Sequence, residues 1–391
     1  MNRLAISFTN FGPYHLARLR ALAVELARAG GRLFAYEVAG TERRYPWRPA
    51  RGDEPFEWTT LFPDRALETI PKPACARAIV DALRRDSPEA VAIVGYSRPE
   101  SMAALGWARR TGRPVILMSE SQKIDHPRRW WKEAIKRRRV GRCDAALVGG
   151  PRHRDYLVDL GMPRDRIALG YNAVDNALYA SRAESARRSP LGRHGLPDAP
   201  YFLAVNRFVP DKNLSRLVRA FALYRRASAG GDGPSWDLVL CGDGPGADEV
   251  EAAVAASGVA GAIHRPGFLQ VDELSRRYAF ASAFVHPSLM EPWGLVVNEA
   301  AACALPLLVS DRAGCVETLV PESPCTGMRF DPHDVESIAA RLTWMASLPE
   351  SERREMGRRA AEVVADWGTE RFARGTIEAI EMARMAERAK S

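Results

Sequence analysis

Short apolar runs alternate with helical stretches along nearly the whole chain, and this rhythm constrains the fold more than any other feature. "RLAISFT" leads into "PYHLARLRALAVELARAG", which has helical spacing and ends on glycine. "RLFAYEV", "AVAIVG", "PVILMS" and "DAALVG" follow, with helical segments between most of them. A strand–helix–strand rhythm predicts parallel strands with helices on both faces of the sheet. It pauses over residues 169–200, "LGYNAVDNALYASRAESARRSPLGRHGLPDAP", where Gly, Pro, Asn and charges dominate. It restarts with "YFLAVN", "WDLVLCG", "AIHRPG", "SAFVHPS" and "LPLLVS". The pause reads as an interdomain linker, and 391 residues suit two domains better than one core. The expected fold class is α/β, with two doubly wound Rossmann-like domains facing across a cleft. The expected divisions are an N-terminal domain over 1–172, a second domain over 173–370, and a C-terminal helix over 371–391 that packs back on the first. Residues 41–64, "TERRYPWRPARGDEPFEWTTLFPD", break the rhythm and read as a loop over a binding surface or a packed insertion.

Charge separates the two halves. Residues 1–172 hold 31 Lys and Arg against 19 Asp and Glu, whereas residues 173–391 hold 25 against 29. The basic half suggests an anionic counterpart: nucleic acid, a membrane surface or a phosphorylated substrate. Six scattered cysteines form no C-x-x-C, which points to a reducing compartment without disulfides or a zinc site. No apolar run is as long as a membrane span, and no small-residue cleavage site follows the N-terminal run, so a cytoplasmic chain is expected.

In doubly wound sheets, ligands gather at the C-terminal ends of the strands. After "YFLAVN", Arg207 and Lys212 lie on a loop that enters a helix, an arrangement suited to a diphosphate. Two solvated surface cations would read the same way. After "WDLVLCG", Gly242, Asp243 and Gly244 form a turn common to many strand–helix junctions. Backbone near Phe268 and Leu269 is placed to meet a planar base. The fourth loop, "HPSLMEPWGLVVNEAAACALPLLVS", is apolar apart from Glu291 and Glu299, and carboxylates in such a setting need partners.

Taken in order, "NRFVPDKNLSRLVRAF", "LCGDGP", "PGFLQVDELSRRYAFASAFVHPSLMEPWGLVVNEAAACALPLLVSDRAGCVE" and "WGTERFA" resemble the retaining glycosyltransferases of family 4, with the two-domain GT-B architecture. The likeness covers most of residues 201–375 and is looser in the first half. It implies that Glu291, first of an E-x7-E pair, contacts donor-sugar hydroxyls and that Glu299 holds the ribose. Arg207 and Lys212 match the basic pair on the leaving diphosphate. Gly242, Asp243, Gly244, Phe268, Leu269 and the segment Pro292, Trp293, Gly294, Leu295 and Val296 line the donor. The resemblance further implies retention, with the diphosphate helping to deprotonate the acceptor. No metal and no other cofactor is expected, since cations and helix ends stabilise the leaving group.

The first domain is expected to bind the acceptor. Gly12 matches a glycine loop that approaches the donor phosphates, and His15 reads either as an acceptor contact or as a structural helix-start histidine. Where many relatives carry a histidine after the "PVILMS" strand, this chain has "SESQKID", leaving Ser119, Glu120 and Asp125 as acceptor-site candidates. Residues 128–142, "RRWWKEAIKRRRVGR", carry eight cations and one acid. On a helix, Trp130, Trp131, Ala134 and Ile135 share a stripe, which would either rest on anionic lipid or pack inward. The expected partners are a nucleotide-sugar donor and a glycan, glycolipid or small-molecule acceptor, with an anionic membrane surface open. The competing readings are a nucleotide-sugar epimerase, a non-catalytic nucleotide-sugar binder, and a nucleic-acid binder, for which no recognisable module appears.

Overall fold

The structure is a computed structural model that describes residues 3–43, 52–229 and 235–388. The chain divides into two compact units, one of Met1–Asp175 with Trp367–Ser391 and one of Asn176–Asp366. These divisions fall three and four residues from the expected 172/173 and 370/371.

The first unit runs β1 (Arg3–Phe8), α1 (Pro13–Arg28), β2 (Arg32–Thr41), β3 (Glu57–Ala66), α2 (Lys72–Asp86), β4 (Ala90–Val94), α3 (Pro99–Arg110), β5 (Val115–Ser119), α4 (Trp130–Val140), β6 (Ala145–Val148), α5 (Pro151–Asp159) and β7 (Ile167–Leu169). Its sheet has the order β3-β2-β1-β4-β5-β6-β7, parallel throughout. The inner strands β4, β5 and β6 are continuous apolar runs because helices cover both of their faces.

The second unit runs α6 (Asn176–Arg188), β8 (Tyr201–Val205), α7 (Leu214–Ala229), β9 (Asp237–Cys241), α8 (Ala247–Ala256), β10 (Ile263–Gly267), α9 (Val271–Phe280), β11 (Ala283–His286), α10 (Leu295–Ala302), β12 (Leu307–Ser310), α11 (Val316–Leu319), β13 (Gly327–Phe330), α12 (Val335–Ser347) and α13 (Glu350–Ala365). Its parallel sheet has the order β10-β9-β8-β11-β12-β13. The chain builds outward from β8 to β10, then crosses back to lay β11 on the other side of β8. The loops after β8 and β11 therefore part at a topological switch point.

The last helix, α14 (Thr369–Arg388), belongs to the first unit and packs on α1. Its Phe372, Ala373, Ala379, Ile380 and Ala383 join the core built on β1 and α1. Gly375 permits the approach of α14 to the sheet, since a Cβ there would lie 2.5 Å from the Leu169 carbonyl oxygen.

Two expectations need correction. Residues 41–64 are partly strand: Thr41 closes β2, and Glu57 to Asp64 lie in β3, while residues 44–51 lie outside the described residues. As an edge strand, β3 pairs on one side only and is half-exposed along much of its length, so it tolerates Pro63 and its charges. Within the expected linker, residues 176–188 form α6, whose Tyr179, Ala183 and Ala186 are buried and which packs on α9 and α10. Arg, Ser and Glu on its other faces hid that spacing. No two of the six cysteines are joined. No described helix is long and apolar enough to cross a membrane.

The Gly375→Ala variant should lose about 1–3 kcal/mol through overpacking against backbone. Gly261→Ala, where a Cβ meets nothing within 4 Å, should stay within about 0.5 kcal/mol of the parent in the same urea titration.

Candidate active site

The two loops at the switch point of the second sheet are tied together by one side-chain amide and by main chain. After β8, a short 3-10 turn over Pro210–Lys212 ends at Asn213, whose left-handed backbone (φ 60°) starts α7. The Asn213 side-chain amide Nδ2 donates to the main-chain carbonyls of Pro287 (3.0 Å) and Pro332 (2.8 Å), and the Leu289 backbone amide donates to the Asp211 carbonyl (2.8 Å). This stitching sets Lys212 against the loop that follows β11.

Lys212 Nζ donates to Glu291 Oε2 as an ion pair. The same oxygen meets His286 Nε2 at 2.8 Å and lies 3.5 Å from the Ser288 hydroxyl. Burial pushes the Glu291 carboxyl up, but the Lys212 charge and the His286 hydrogen bond outweigh it and bring it down to about 2. Glu291 is therefore an ionised acceptor at neutral pH and does not serve as a proton donor. Arg207, half-buried on the loop after β8, has no side-chain partner among the described residues.

Gly294, at the start of α10, has φ 103°, and a Cβ there would lie 3.3 Å from Glu291 Cγ and 3.4 Å from His286 Nε2. Glycine thus serves both the backbone and the space around the pair. Leu295 and Val296 open α10 without a side-chain cap, which leaves first-turn amides for a ligand. Trp293 is buried, and its indole donates to Asn298 Oδ1 (2.8 Å). The Glu291 and Trp293 carbonyls accept from the Gly314 and Cys315 amides, which anchors the segment around Pro292.

Glu299 has different surroundings from Glu291. It is fully enclosed within α10, and one of its oxygens accepts from the Tyr278 hydroxyl at 2.8 Å. Gly242 (φ 131°) and Gly244 (φ 155°) let the loop after β9 lie on the loop after β8, where a Cβ would come within 1.8 Å of the Asn206 carbonyl and 2.5 Å of the Phe208 carbonyl. The Asp243 carbonyl accepts from the Phe208 amide (2.8 Å), and its carboxylate caps Gly244 N (2.7 Å). Phe268 is exposed and Leu269 half-buried at the entry to α9.

The candidates in the first unit lie at the C-terminal ends of its strands. His15 Nδ1 accepts from the Gly12 amide (3.1 Å), so the proton sits on Nε2 and the Gly12 amide is already committed. Burial and the nearby Arg18 push the imidazole down to about 3, so it is neutral at physiological pH. The backbone of Gly12 (φ −107°) is one that other residues also adopt. Glu120 accepts from the Asn172 amide at 2.9 Å, and Ser119 is buried with its hydroxyl accepting from the Ser121 amide at 3.3 Å. Asp125 accepts from the Gln122 amide at 2.8 Å, and burial pushes its carboxyl up. Among the described residues, no three His, Cys, Asp or Glu side chains gather as metal ligands would.

The family profile described as Glycosyl transferases group 1 matches residues 192–363, and that described as Glycosyltransferase Family 4 matches residues 17–178. The chain belongs to glycosyltransferase family 4. This family 4 chain is 32% identical over 210 residues to the sulfoquinovosyl transferase SQD2 of Arabidopsis thaliana, covering 53% of this chain and 38% of that protein. It is 28% identical over 247 residues to the alpha-D-kanosaminyltransferase of Streptomyces kanamyceticus, covering 62% and 61%. Both matches span less than two thirds of the relative's length. In fold it resembles a sucrose-phosphate synthase from Thermosynechococcus elongatus (TM-score 0.73, 19% identity, all of both chains) and a glycosyltransferase from Rickettsia africae (TM-score 0.72, 13% identity, 98% and 99%). The fold is GT-B.

The sequence reading of this family 4 chain did not single out His286, Ser288 or Glu37. His286 and Ser288 lie in the "HPS" that precedes Glu291, so their spacing was available. Glu37 is buried and accepts from the Phe11 amide (3.0 Å), the Trp58 indole (2.8 Å) and the Thr60 hydroxyl (2.6 Å), which holds the loop before Gly12. Two of these partners, Trp58 and Thr60, come from β3, a stretch expected as a loop or a packed insertion.

Glu291 lies below its ordinary value of 4.5 in the folded chain, so the stability it contributes is complete above about pH 4.5 and fades as pH falls toward 2. Glu291→Gln should therefore cost on the order of 2 kcal/mol at pH 7, and the difference from the parent should shrink between pH 4.5 and 2 in urea titrations. A difference that is flat with pH would show that the Lys212 pair does not hold Glu291 ionised.

Proposed function

We propose that this chain moves a hexosyl group from a nucleoside-diphosphate sugar to an acceptor hydroxyl, with retention at the anomeric carbon, in the assembly of a glycolipid or polysaccharide. The observation that carries this reading is the ionised Glu291 held by Lys212 at the switch point, with Arg207 on the same loop as Lys212 and its side chain without a partner among the described residues. Breaking the bond from the anomeric carbon to the diphosphate leaves negative charge on oxygen. Arg207, Lys212 and the amides opening α10 are the groups that receive it. No divalent ion is needed in this reading.

An acid near 2 has no proton to give at neutral pH, so Glu291 does not protonate the leaving group. It accepts hydrogen bonds from sugar hydroxyls instead. The acceptor oxygen then attacks the anomeric carbon on the face the diphosphate leaves, and its proton passes to a diphosphate oxygen. The products are the glycoside and the nucleoside diphosphate. Glu299 is assigned to the ribose hydroxyls, a contact its carboxylate can add to the Tyr278 bond because two oxygens offer several acceptor sites. Phe268 offers an exposed ring to the base. In the first unit, His15 acts on acceptor or phosphate as a neutral Nε2–H donor rather than a cation. The donor half of the proposal rests on the second unit alone.

The names of the relatives support glycosyl transfer but differ in the sugar moved, so the donor is the quantity to measure. Purified protein should release nucleoside diphosphate slowly from one member of a UDP- and GDP-sugar panel, and equally well in EDTA. Lys212→Ala and Arg207→Ala should each lower that release by roughly 10²–10³-fold, as loss of one charge-stabilising donor does. Activity that depends on a divalent ion, or an inverted anomeric configuration in the product, would overturn the corresponding part of the reading.

A further inference from the structure

Helix α4 of the first unit is built with most of its apolar residues facing outward. Glu133, Lys136, Arg139 and Val140 face the body of the unit, and their contacts there are mostly polar. Glu133 Oε2 accepts from the Tyr156 hydroxyl (2.8 Å), and Lys136 Nζ donates to both Glu133 Oε1 and Tyr156 (2.8 Å each). The Arg128 guanidinium, just before the helix, lies over the Tyr156 ring at 4.4 Å. Arg139 donates to the Tyr96 carbonyl at 2.9 Å. The opposite face presents Trp130, 83% exposed, with Trp131 at 44% and Ile135 at 45%. Exposed Arg129, Lys132, Arg137 and Arg138 surround them.

The charge distribution on α4 is as informative as the exposure. The single acid of residues 128–142, Glu133, is used up on the inward face. The side chains of Arg129, Arg137 and Arg138 have no partner among the described residues, and Lys132 meets only the Trp131 ring, at 5.4 Å. Cations in the last turn of a helix complement its dipole, which accounts for Arg137 and Arg138 taken alone. It does not account for two tryptophans and an isoleucine left in water among them. Inward packing of the tryptophans, the other sequence expectation, is not what the structure shows.

We propose that the outward face of α4 docks on an anionic lipid bilayer, with Trp130, Trp131 and Ile135 entering the headgroup region and Arg129, Lys132, Arg137 and Arg138 meeting lipid phosphates. Tryptophan belongs at such an interface because its ring is apolar and its N–H polar. The helix is only 11 residues long, so insertion is shallow and the attraction depends on salt. This surface is independent of the transfer reaction, and its test requires no turnover.

The full chain should be sedimented with vesicles of phosphatidylcholine alone and with about 30% phosphatidylglycerol, at about 0.1 M and 0.5 M salt. Partitioning should be at least about tenfold stronger onto the anionic vesicles at low salt, and most of that preference should vanish at high salt. Trp130→Ser with Trp131→Ser should abolish most binding. Arg129→Gln, Arg137→Gln and Arg138→Gln should each reduce it about fivefold. All of these positions are exposed, so the melting temperature should not move and misfolding is separable from loss of docking. Equal partitioning onto both vesicles, or variants that bind like the parent, would overturn the proposal. So would a concentration-dependent dimer, without vesicle binding, that the tryptophan variant abolishes, since the face would then meet a second copy. Stronger retention by an RNA duplex than by anionic vesicles would reassign the charges to nucleic acid.

Discussion

An ammonium and a carboxylate mostly out of solvent would each be costly alone, and the second unit places them together. Lys212 and Glu291 come from loops on opposite sides of the switch point, nearly eighty residues apart in sequence. They meet because β8 and β11 are neighbours and because the two loops are bound by the Asn213 side chain and by the Leu289–Asp211 main-chain bond. A carboxylate with only Ser288 nearby would be pushed toward its protonated form by burial. With Lys212 and His286 on the same oxygen it stays ionised. The chemistry proposed for the site depends on that outcome, because a protonated Glu291 would be a different reagent.

The surrounding glycines serve the same end. Gly242 and Gly244 press the loop after β9 against Asn206 and Phe208, which fixes the backbone on either side of Arg207. Gly294 keeps a side chain out of the space between Glu291 and His286. A site assembled from strand-end loops is usually its most mobile part, but here loop is held by loop through backbone hydrogen bonds. Little ordering remains for a ligand to impose, and that is the physical content of preorganisation.

The alternation of apolar runs and helices was legible at the inner strands β1, β2, β4 to β6, β8, β9, β11 and β12, and at the edge strand β10. It failed at β3, whose edge position tolerates Pro63 and charge, and at α6, whose buried Tyr179, Ala183 and Ala186 are diluted by Arg and Glu. β7 has only three residues, and β13, "GMRF", opens on glycine and carries an arginine, so neither shows an apolar run. In the site, residue types and spacing brought Arg207, Lys212 and Glu291 to notice, but spacing does not report burial. It treated Glu291 and Glu299 alike, although one faces Lys212 and the other is sealed against Tyr278. It also left His15 open between ligand and cap. The sequence holds a clue there, since Gly-Pro-x-His occurs at both Gly12–His15 and Gly150–His153. In both, the histidine Nδ1 accepts from the glycine amide at 3.1 Å. A device used twice at strand-to-helix junctions is a capping device first, and any contact His15 makes with a ligand uses the nitrogen that capping leaves over.

In the proposed reaction, Lys212 faces competing demands when the donor diphosphate binds. An ammonium has three donor hydrogens, so it can keep Glu291 while adding a phosphate oxygen, and Arg207 can engage a second oxygen without breaking any bond. Sharing weakens the hold of Lys212 on the carboxylate, and His286, whose Nε2 lies 2.8 Å from Glu291 Oε2, then matters more. Donor hydroxyls supply further hydrogen bonds to the same carboxylate. In the proposed reaction the charge that holds Glu291 is thereby redirected to the leaving group, and the carboxylate it releases is the one assigned to grip the sugar.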